Sequence, residues 1–222
     1  MQQKQDIKGF TLLELIVVVT IIAVISASGY PAFTNWKKDR EVRVAAENIS
    51  SMLSGIVAQT QRGSFPYVQF TFTATSNVDK KTFTTKGMSR KSLSSTLNAG
   101  NSLDCDMVNS GVWDNHKVHY HEADVAIHKK TSGAVCFSRD GSHFGYSGSL
   151  SANININLDG KNVKDYIILC DLDQLDSNGN SQIGGDGECQ ITKLQKPAYM
   201  VEWSRFGGIH IRKWSGSAWS SR

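Results

Sequence analysis

Residues Gly9 to Phe33 read GFTLLELIVVVTIIAVISASGYPAF, and the fold class follows from them. From Leu15 to Ala27 only Thr20 and Ser26 interrupt a run of Leu, Ile, Val and Ala. With its flanks the run covers about 24 residues, and at roughly 1.5 Å of rise per residue it matches a hydrocarbon layer of roughly 30 Å. One residue breaks the pattern. Glu14 puts a carboxylate inside the apolar helix, at a cost on the order of a few kcal/mol if it stays charged in lipid, so it needs a partner. Its position near the helix start also suits the positive end of the helix dipole.

The residues before Gly9, MQQKQDIK, are polar and basic through Lys4 and Lys8. A secretory signal is cut after its apolar segment; here the polar-to-apolar junction, Lys8-Gly9-Phe10, precedes it, so a cut there leaves the helix on the mature protein. The pattern K-G-F-T-L-L-E-L, with Pro31 near the end of the apolar stretch, resembles the class III signal of type IV prepilins and type II secretion pseudopilins. That resemblance implies cleavage after Gly9 by prepilin peptidase, a membrane aspartyl enzyme, and N-methylation of Phe10. It also implies assembly with other pilin or pseudopilin subunits through an inner-membrane platform. The physical logic agrees with it. A cut at Gly9 creates a positive amine on Phe10, four residues from Glu14. In a filament the Glu14 carboxylate of one subunit can neutralise the Phe10 amine of the next, inside an apolar bundle that penalises unpaired charge. The helix is then anchor first and polymerisation surface later.

The expected organisation is a leader over residues 1–9, a transmembrane and polymerisation helix over 10–33, an amphipathic continuation over 34–62, and a β-rich periplasmic or extracellular head over 63–222. A chain of 222 residues has room for one such head. The net charge of +4 is mild and by itself does not indicate nucleic acid. Lys4 and Lys8 favour a cytoplasmic N-terminus, while Lys37, Lys38 and Arg40 on the far flank weaken that preference. The leader resemblance decides it: a single pass in the inner membrane, then a pilus or pseudopilus in the periplasm or at the cell surface.

Cys105, Cys136, Cys170 and Cys189 all lie in the outward part. In an oxidising compartment an even number suggests two disulfides, with three connectivities, against the alternative of buried free thiols. Cys170 with Cys189 and Cys105 with Cys136 is the preferred pairing, because the first closes an Asp-, Asn- and Gly-rich segment with little core of its own. No CxxC pair points to structural zinc.

After Pro31, Val42, Ala45, Ile49, Met52, Leu53, Ile56 and Thr60 recur at helical spacing, so this half should lie against a sheet. Gly29 and Pro31 predict a kink or melted turn, and Gly63 with Pro66 predicts the helix end. From Tyr67 the period becomes two. Strands are expected from Tyr67 onward, over Lys80 to Met88, Lys117 to His128, Gly133 to Phe137, Ile154 to Leu158, Val163 to Cys170, Cys189 to Leu194, Ala198 to Trp203 and Gly208 to Trp214. Lys91 to Gly111 reads as loop with at most a short helix. The fold class is α+β and pilin-like: a long N-terminal helix on an antiparallel β-sheet head with disulfides.

Within the family, AVCFSRDGSHFGYSG and VKDYIILCD resemble strands of the GspH/FimT type of minor pilin or pseudopilin. That group's late Gly-Arg-x-Arg element is imperfect here, Ile209 standing where an arginine belongs.

Three constellations invite chemistry. Val201 to Arg222 interleaves tryptophans with Arg205, Arg212, Lys213, Trp214 and Arg222, a pattern that suits a backbone-tracking DNA site or a terminal hairpin with solvated cations. Asp171, Asp173, Asp176, Asn178 and Asn180 suit calcium or ordinary Asx turns; Ser181 stands where an EF-hand has glycine. His119 and His121 share a strand face, as a metal pair or as an ordinary surface strand alongside His116 and His128. No nucleophile elbow or triad is present, so an enzyme is not expected. The function expected is a minor pilin or pseudopilin subunit of a type IV pilus or type II secretion filament. A major pilin, or a DNA-binding minor pilin for uptake, is the alternative.

Overall fold

The computed structural model describes residues 11–74, 81–100, 105, 113–127, 133–139, 156–158, 161–163, 165–173, 189, 194, 196–204 and 207–221. Its longest element is helix α1, Leu12–Gln61. Thr11 caps it, its Oγ1 accepting the Glu14 backbone N–H at 3.2 Å and so satisfying one of the orphan donors of the first turn. The other end closes as the sequence predicts. Gly63 takes φ 78°, and the N–H groups of Gly63 and Ser64 bond to the carbonyls of Thr60 and Gln59. This is the paired closure that a left-handed glycine permits.

The disturbance expected at Gly29 and Pro31 falls slightly earlier, as a break between Leu12–Ala27 and Gly29–Gln61. A proline ring clashes with the carbonyl four residues before it, here that of Ala27. Among the described residues no single helix is long and apolar enough to cross a membrane, whereas these two pieces together meet the length and composition test. The chain divides into two compact units, residues 1–38 and 39–222.

In the first unit every residue from Thr11 to Ala27 is exposed. In the second, α1 is amphipathic in fact. Val42, Ala45, Ala46, Ile49, Leu53, Ile56, Val57 and Thr60 are buried, and Met52 is half-buried. They pack against the inner faces of two antiparallel sheets. The first sheet contains β1 (Tyr67–Ala74), β2 (Lys81–Met88), β3 (Asp114–Ala123) and β5 (Gly133–Ser138), in the order β3-β2-β1-β5. The second contains β4 (Ala126–Ile127), β8 (Tyr166–Cys170), β9 (Ala198–Trp203), β10 (Ile209–Trp214) and β11 (Trp219–Ser221), in the order β11-β10-β9-β8-β4. A small ribbon pairs β6 (Ile156–Leu158) with β7 (Lys161–Val163). Helix α2 covers Arg90–Asn98, capped by Ser89.

Alternation aims Val68, Phe70, Phe72 and Phe83 of the first sheet, and Ile167, Leu169, Tyr199, Val201 and Trp203 of the second, at the helix. The opposite faces are covered too. Met88, Ala134, Cys136, Cys105 and Trp113 form a cluster behind the first sheet, and Ala126, Tyr166, Ile168, Met200, Cys189 and Leu194 form one behind the second. Each disulfide joins a strand to the segment behind it: Cys105 to Cys136, and Cys170 to Cys189. The preferred pairing therefore holds, and each bond joins a strand cysteine to a buried cysteine of the cluster behind that sheet.

Two strand boundaries differ from the sequence expectation, and a third expected strand, Cys189 to Leu194, lies mostly outside the described residues. Lys117 to His128 is not one strand; the chain leaves the first sheet after Ala123 and enters the second at Ala126. Val163 to Cys170 is divided between β7 and β8, with Asp165 in a bend. Cys189 donates its N–H to Ile127 O at 2.9 Å, and residues 190–193 lie outside the described set. The first change of sheet falls at Asp124 and Val125, and the burial of Val125, Ala126 and Ile127 would be the same in either sheet, so their apolarity did not reveal it. Gly87 is tied to its place by Phe65, whose ring would lie 2.6 Å from a Cβ there.

Candidate functional site

The site the sequence singles out is the start of α1. Gly9 and Phe10 lie outside the described residues. Glu14 is exposed in the first turn, and its backbone N–H is held by Thr11. Around it, Thr11, Thr20 and Ser26 aside, the helix presents apolar side chains to the surroundings: Leu12 is 76% exposed, Ile16 54% and Ile25 64%. An uncovered apolar surface of this extent on a folded chain marks an interaction with lipid or protein. The chemistry on offer is thus one carboxylate on an otherwise greasy rod, with the capping bond leaving its oxygens available.

The basic C-terminal segment is arranged differently. Arg212 Nη2 lies 3.0 Å from Glu202 Oε1, across the β9–β10 pair, and both side chains are largely buried. Lys213 Nζ lies 2.8 Å from Asp39 Oδ1, and the Tyr199 hydroxyl donates to the same carboxylate at 3.1 and 3.2 Å. The hydrogen bond it donates to Asp39 raises the Lys213 pKa, and burial raises that of Tyr199. Trp214 donates Nε1–H to Leu194 O at 3.0 Å and meets Trp219 with ring centroids 5.2 Å apart. Arg205 and Arg222 lie outside the described residues. The three described residues of this group are therefore engaged within the head, and a phosphate reaching Arg212 or Lys213 competes with a carboxylate already in place.

Asp171 and Asp173 follow β8 directly; Asp176, Asn178 and Asn180 lie outside the described residues. His121 is part of the helix–sheet seam. Its ring stacks on Phe83 at 6.5 Å, and Nε2 is 3.3 Å from Asn48 Nδ2. Burial lowers its pKa. The side chains of His116 and His119, and all of His128, lie outside the described set.

One feature escaped the sequence entirely. Where α1 ends, a cleft of about 490 Å³ opens between the α1–β1 turn, the start of α2 and the end of β5. Arg90 and Arg139 line it with Phe65, Pro66, Tyr67 and Leu93. These two arginines are nearly fifty positions apart, so linear inspection had no signal that joined them.

No curated protein and no solved structure was found to match this chain. Residues 4–30 match the family model of the prokaryotic N-terminal methylation motif, and that match, on a pilin-like α+β fold, supports a type IV pilin-like subunit.

Proposed function

We propose that the protein is a structural subunit of a type IV pilus or type II secretion filament. It is cleaved after Gly9 by prepilin peptidase, methylated on Phe10, and assembled through its N-terminal helix from a single-pass position in the inner membrane. The observation that carries this reading is the uncovered apolar helix bearing Glu14 within the stretch that matches the methylation motif. In the membrane, lipid covers that surface; in a filament, the helices of neighbours do. Glu14 gives the packed bundle one polar anchor, the amine of a neighbouring Phe10, and so fixes register. The choice between a minor pilin or pseudopilin of the GspH/FimT kind and a major pilin is one of copy number, since the N-terminal chemistry serves both.

Intact mass and N-terminal sequencing of the protein from sheared filaments and from membranes test this. A chain that begins at methylated Phe10 and occurs in the filaments is expected, and its abundance there separates the two seats. A chain that still begins at Met1, or one confined to membranes, refutes the reading. Glu14→Ala should still be cleaved but leave the Phe10 amine unpaired in an apolar bundle. At about 3–5 kcal/mol for a broken buried pair, incorporation should fall by roughly a hundredfold or more.

A further inference from the structure

Between Glu14 and Lys37 the chain carries no charged residue, and this uncharged run closes on Tyr30, Phe33 and Trp36, followed at once by Lys37 and Lys38. All three aromatic side chains stand on α1 and are uncovered: Tyr30 is 70% exposed, Phe33 61% and Trp36 55%. The Phe33 and Trp36 rings meet with centroids 5.9 Å apart, so they form a patch rather than scattered surface residues.

This stretch differs in kind from the one before it. Residues 15–27 are apolar on every side apart from Thr20 and Ser26, as a helix surrounded by acyl chains requires. At about 100° per residue, Tyr30, Phe33, Trp36 and Lys37 fall on one arc of about 120°, and Thr34, Asn35 and Lys38 fall on the other side. Thr34 Oγ1 donates to the Pro31 carbonyl at 3.0 Å, while Asn35 and Lys38 make that side polar. A helix with an aromatic side and a polar side belongs at a boundary. Tyr and Trp favour the junction of acyl chains and headgroups, and lysines just beyond it lay their stems along the apolar layer and their ammonium groups among phosphates.

Length agrees with composition. From Glu14 a helix advances roughly 24 Å to Tyr30 and roughly 34 Å to Lys37, and the bend of 41° before Gly29 takes only about 3 Å off the second figure. With Glu14 at the inner edge of a hydrocarbon layer of roughly 30 Å, the three aromatics straddle its outer edge and the two lysines stand among the headgroups. The local charge is positive. Asp39 is held by Lys213 and Tyr199, which leaves Lys37, Lys38 and Arg40 against Glu41 in this part of the helix. Such an excess favours anionic headgroups over zwitterionic ones.

We propose that Tyr30, Phe33 and Trp36 form a collar at the headgroup boundary of the outer leaflet, and that Lys37 and Lys38 bind the phosphates of anionic phospholipids there. Resting on the single-pass position proposed above, the collar ends the hydrocarbon span near Tyr30 and fixes the depth at which the subunit waits before assembly.

The test uses the full chain in vesicles of equal parts phosphatidylcholine and phosphatidylglycerol. Trp36 emission is the difference between wild type and Trp36→Phe, because Trp113, Trp203, Trp214 and Trp219 remain in both. A nitroxide on the lipid headgroup should quench that difference at least about twofold more than bromines at the bilayer centre. Stronger quenching by the central bromines puts Trp36 in hydrocarbon and overturns the collar. Quenching by neither, in chains that float with the vesicles, puts Trp36 in water or against protein and overturns the collar alone. Chains that do not float with the vesicles sink the single-pass reading and the collar with it. With bromines moved to just beneath the headgroup, brominated phosphatidylglycerol should quench Trp36 at least about twofold more than brominated phosphatidylcholine at the same mole fraction. That excess should vanish in high salt and in Lys37→Gln with Lys38→Gln. Equal quenching by the two lipids, or an excess that survives the lysine substitutions, overturns the phosphate contact.

Discussion

Removing the carboxylate of Asp39 should loosen the first turns of the packed helix. Asp39 accepts from Lys213 Nζ at 2.8 Å and from the Tyr199 hydroxyl at 3.1 and 3.2 Å, so one side chain on α1 holds two on the second sheet. The two links differ in worth. The Lys213 and Asp39 side chains are 39% and 31% exposed, which screens their attraction to about 0.5–1 kcal/mol. Tyr199 is 1% exposed, and a hydrogen bond from a buried hydroxyl to a charged acceptor is worth about 1.5–3 kcal/mol. Lys213→Met, which keeps the stem that packs over the Tyr199 ring, should therefore cost about 0.5–1 kcal/mol. Tyr199→Phe should cost about 1.5–2 kcal/mol, and Asp39→Ala, which removes the carboxylate both partners share, about 2–3 kcal/mol, close to the sum of the two.

Urea midpoints by tryptophan fluorescence, with hydrogen exchange at residues 39–46, measure both the size and the place of the effect. pH supplies an independent check. Lys213 has its pKa raised by Asp39, so its contribution is complete below the ordinary lysine value of 10.5 and is lost as pH rises through the higher folded value. Tyr199, raised by burial, and Tyr166, pushed up to about 12 by burial, act with the same sign above the ordinary tyrosine value of 10. Stability should accordingly fall from about pH 10 upward, less steeply in Lys213→Met. Equal losses in all three variants, or an alkaline limb identical in Lys213→Met and wild type, would refute the ranking of the two links.

Leu53 is fully buried between α1 and the sheets, so Leu53→Ala should destabilise the head by about 2–5 kcal/mol, whereas Val44→Ala, at an exposed position of the same helix, should stay within about 0.5 kcal/mol; equal shifts in urea midpoint would contradict the packing. Cys170→Ala with Cys189→Ala releases a loop with a sequence separation of 19, worth roughly 3 kcal/mol in the unfolded-chain account. A melting temperature unchanged by the double substitution would mean that the cluster behind the second sheet holds that segment without the covalent tie.

The helix was legible because its signals are local. Val42, Ala45, Ile49, Leu53 and Ile56 announce their face by spacing, and all are buried. Gly63 announces the helix end by the conformation it alone takes cheaply. The strands were legible as strands and less so as sheets. Which strand neighbours which depends on contacts between distant residues, so the crossing of the chain from β3 to β4 at Asp124 and Val125 was not legible as a change of sheet. The pairing of Cys170 with Cys189 could be preferred because it closes a segment poor in core, and the structure contains that bond together with Cys105 to Cys136.

Charge was the least legible property, because a cation's role is set by the neighbour that faces it across the fold. Arg212 and Lys213 stand in a conspicuous basic cluster, yet register places Arg212 diagonally across from Glu202, and packing brings Lys213 to Asp39, more than 170 positions earlier. Both are spent on holding the head together. Arg90 and Arg139 belong to no cluster in the sequence, and the fold brings them to one cleft without a carboxylate among its lining residues. A linear reading ranks cations by how many stand together; the folded chain ranks them by which remain uncompensated. On that second scale the end of α1 ranks above the last strands.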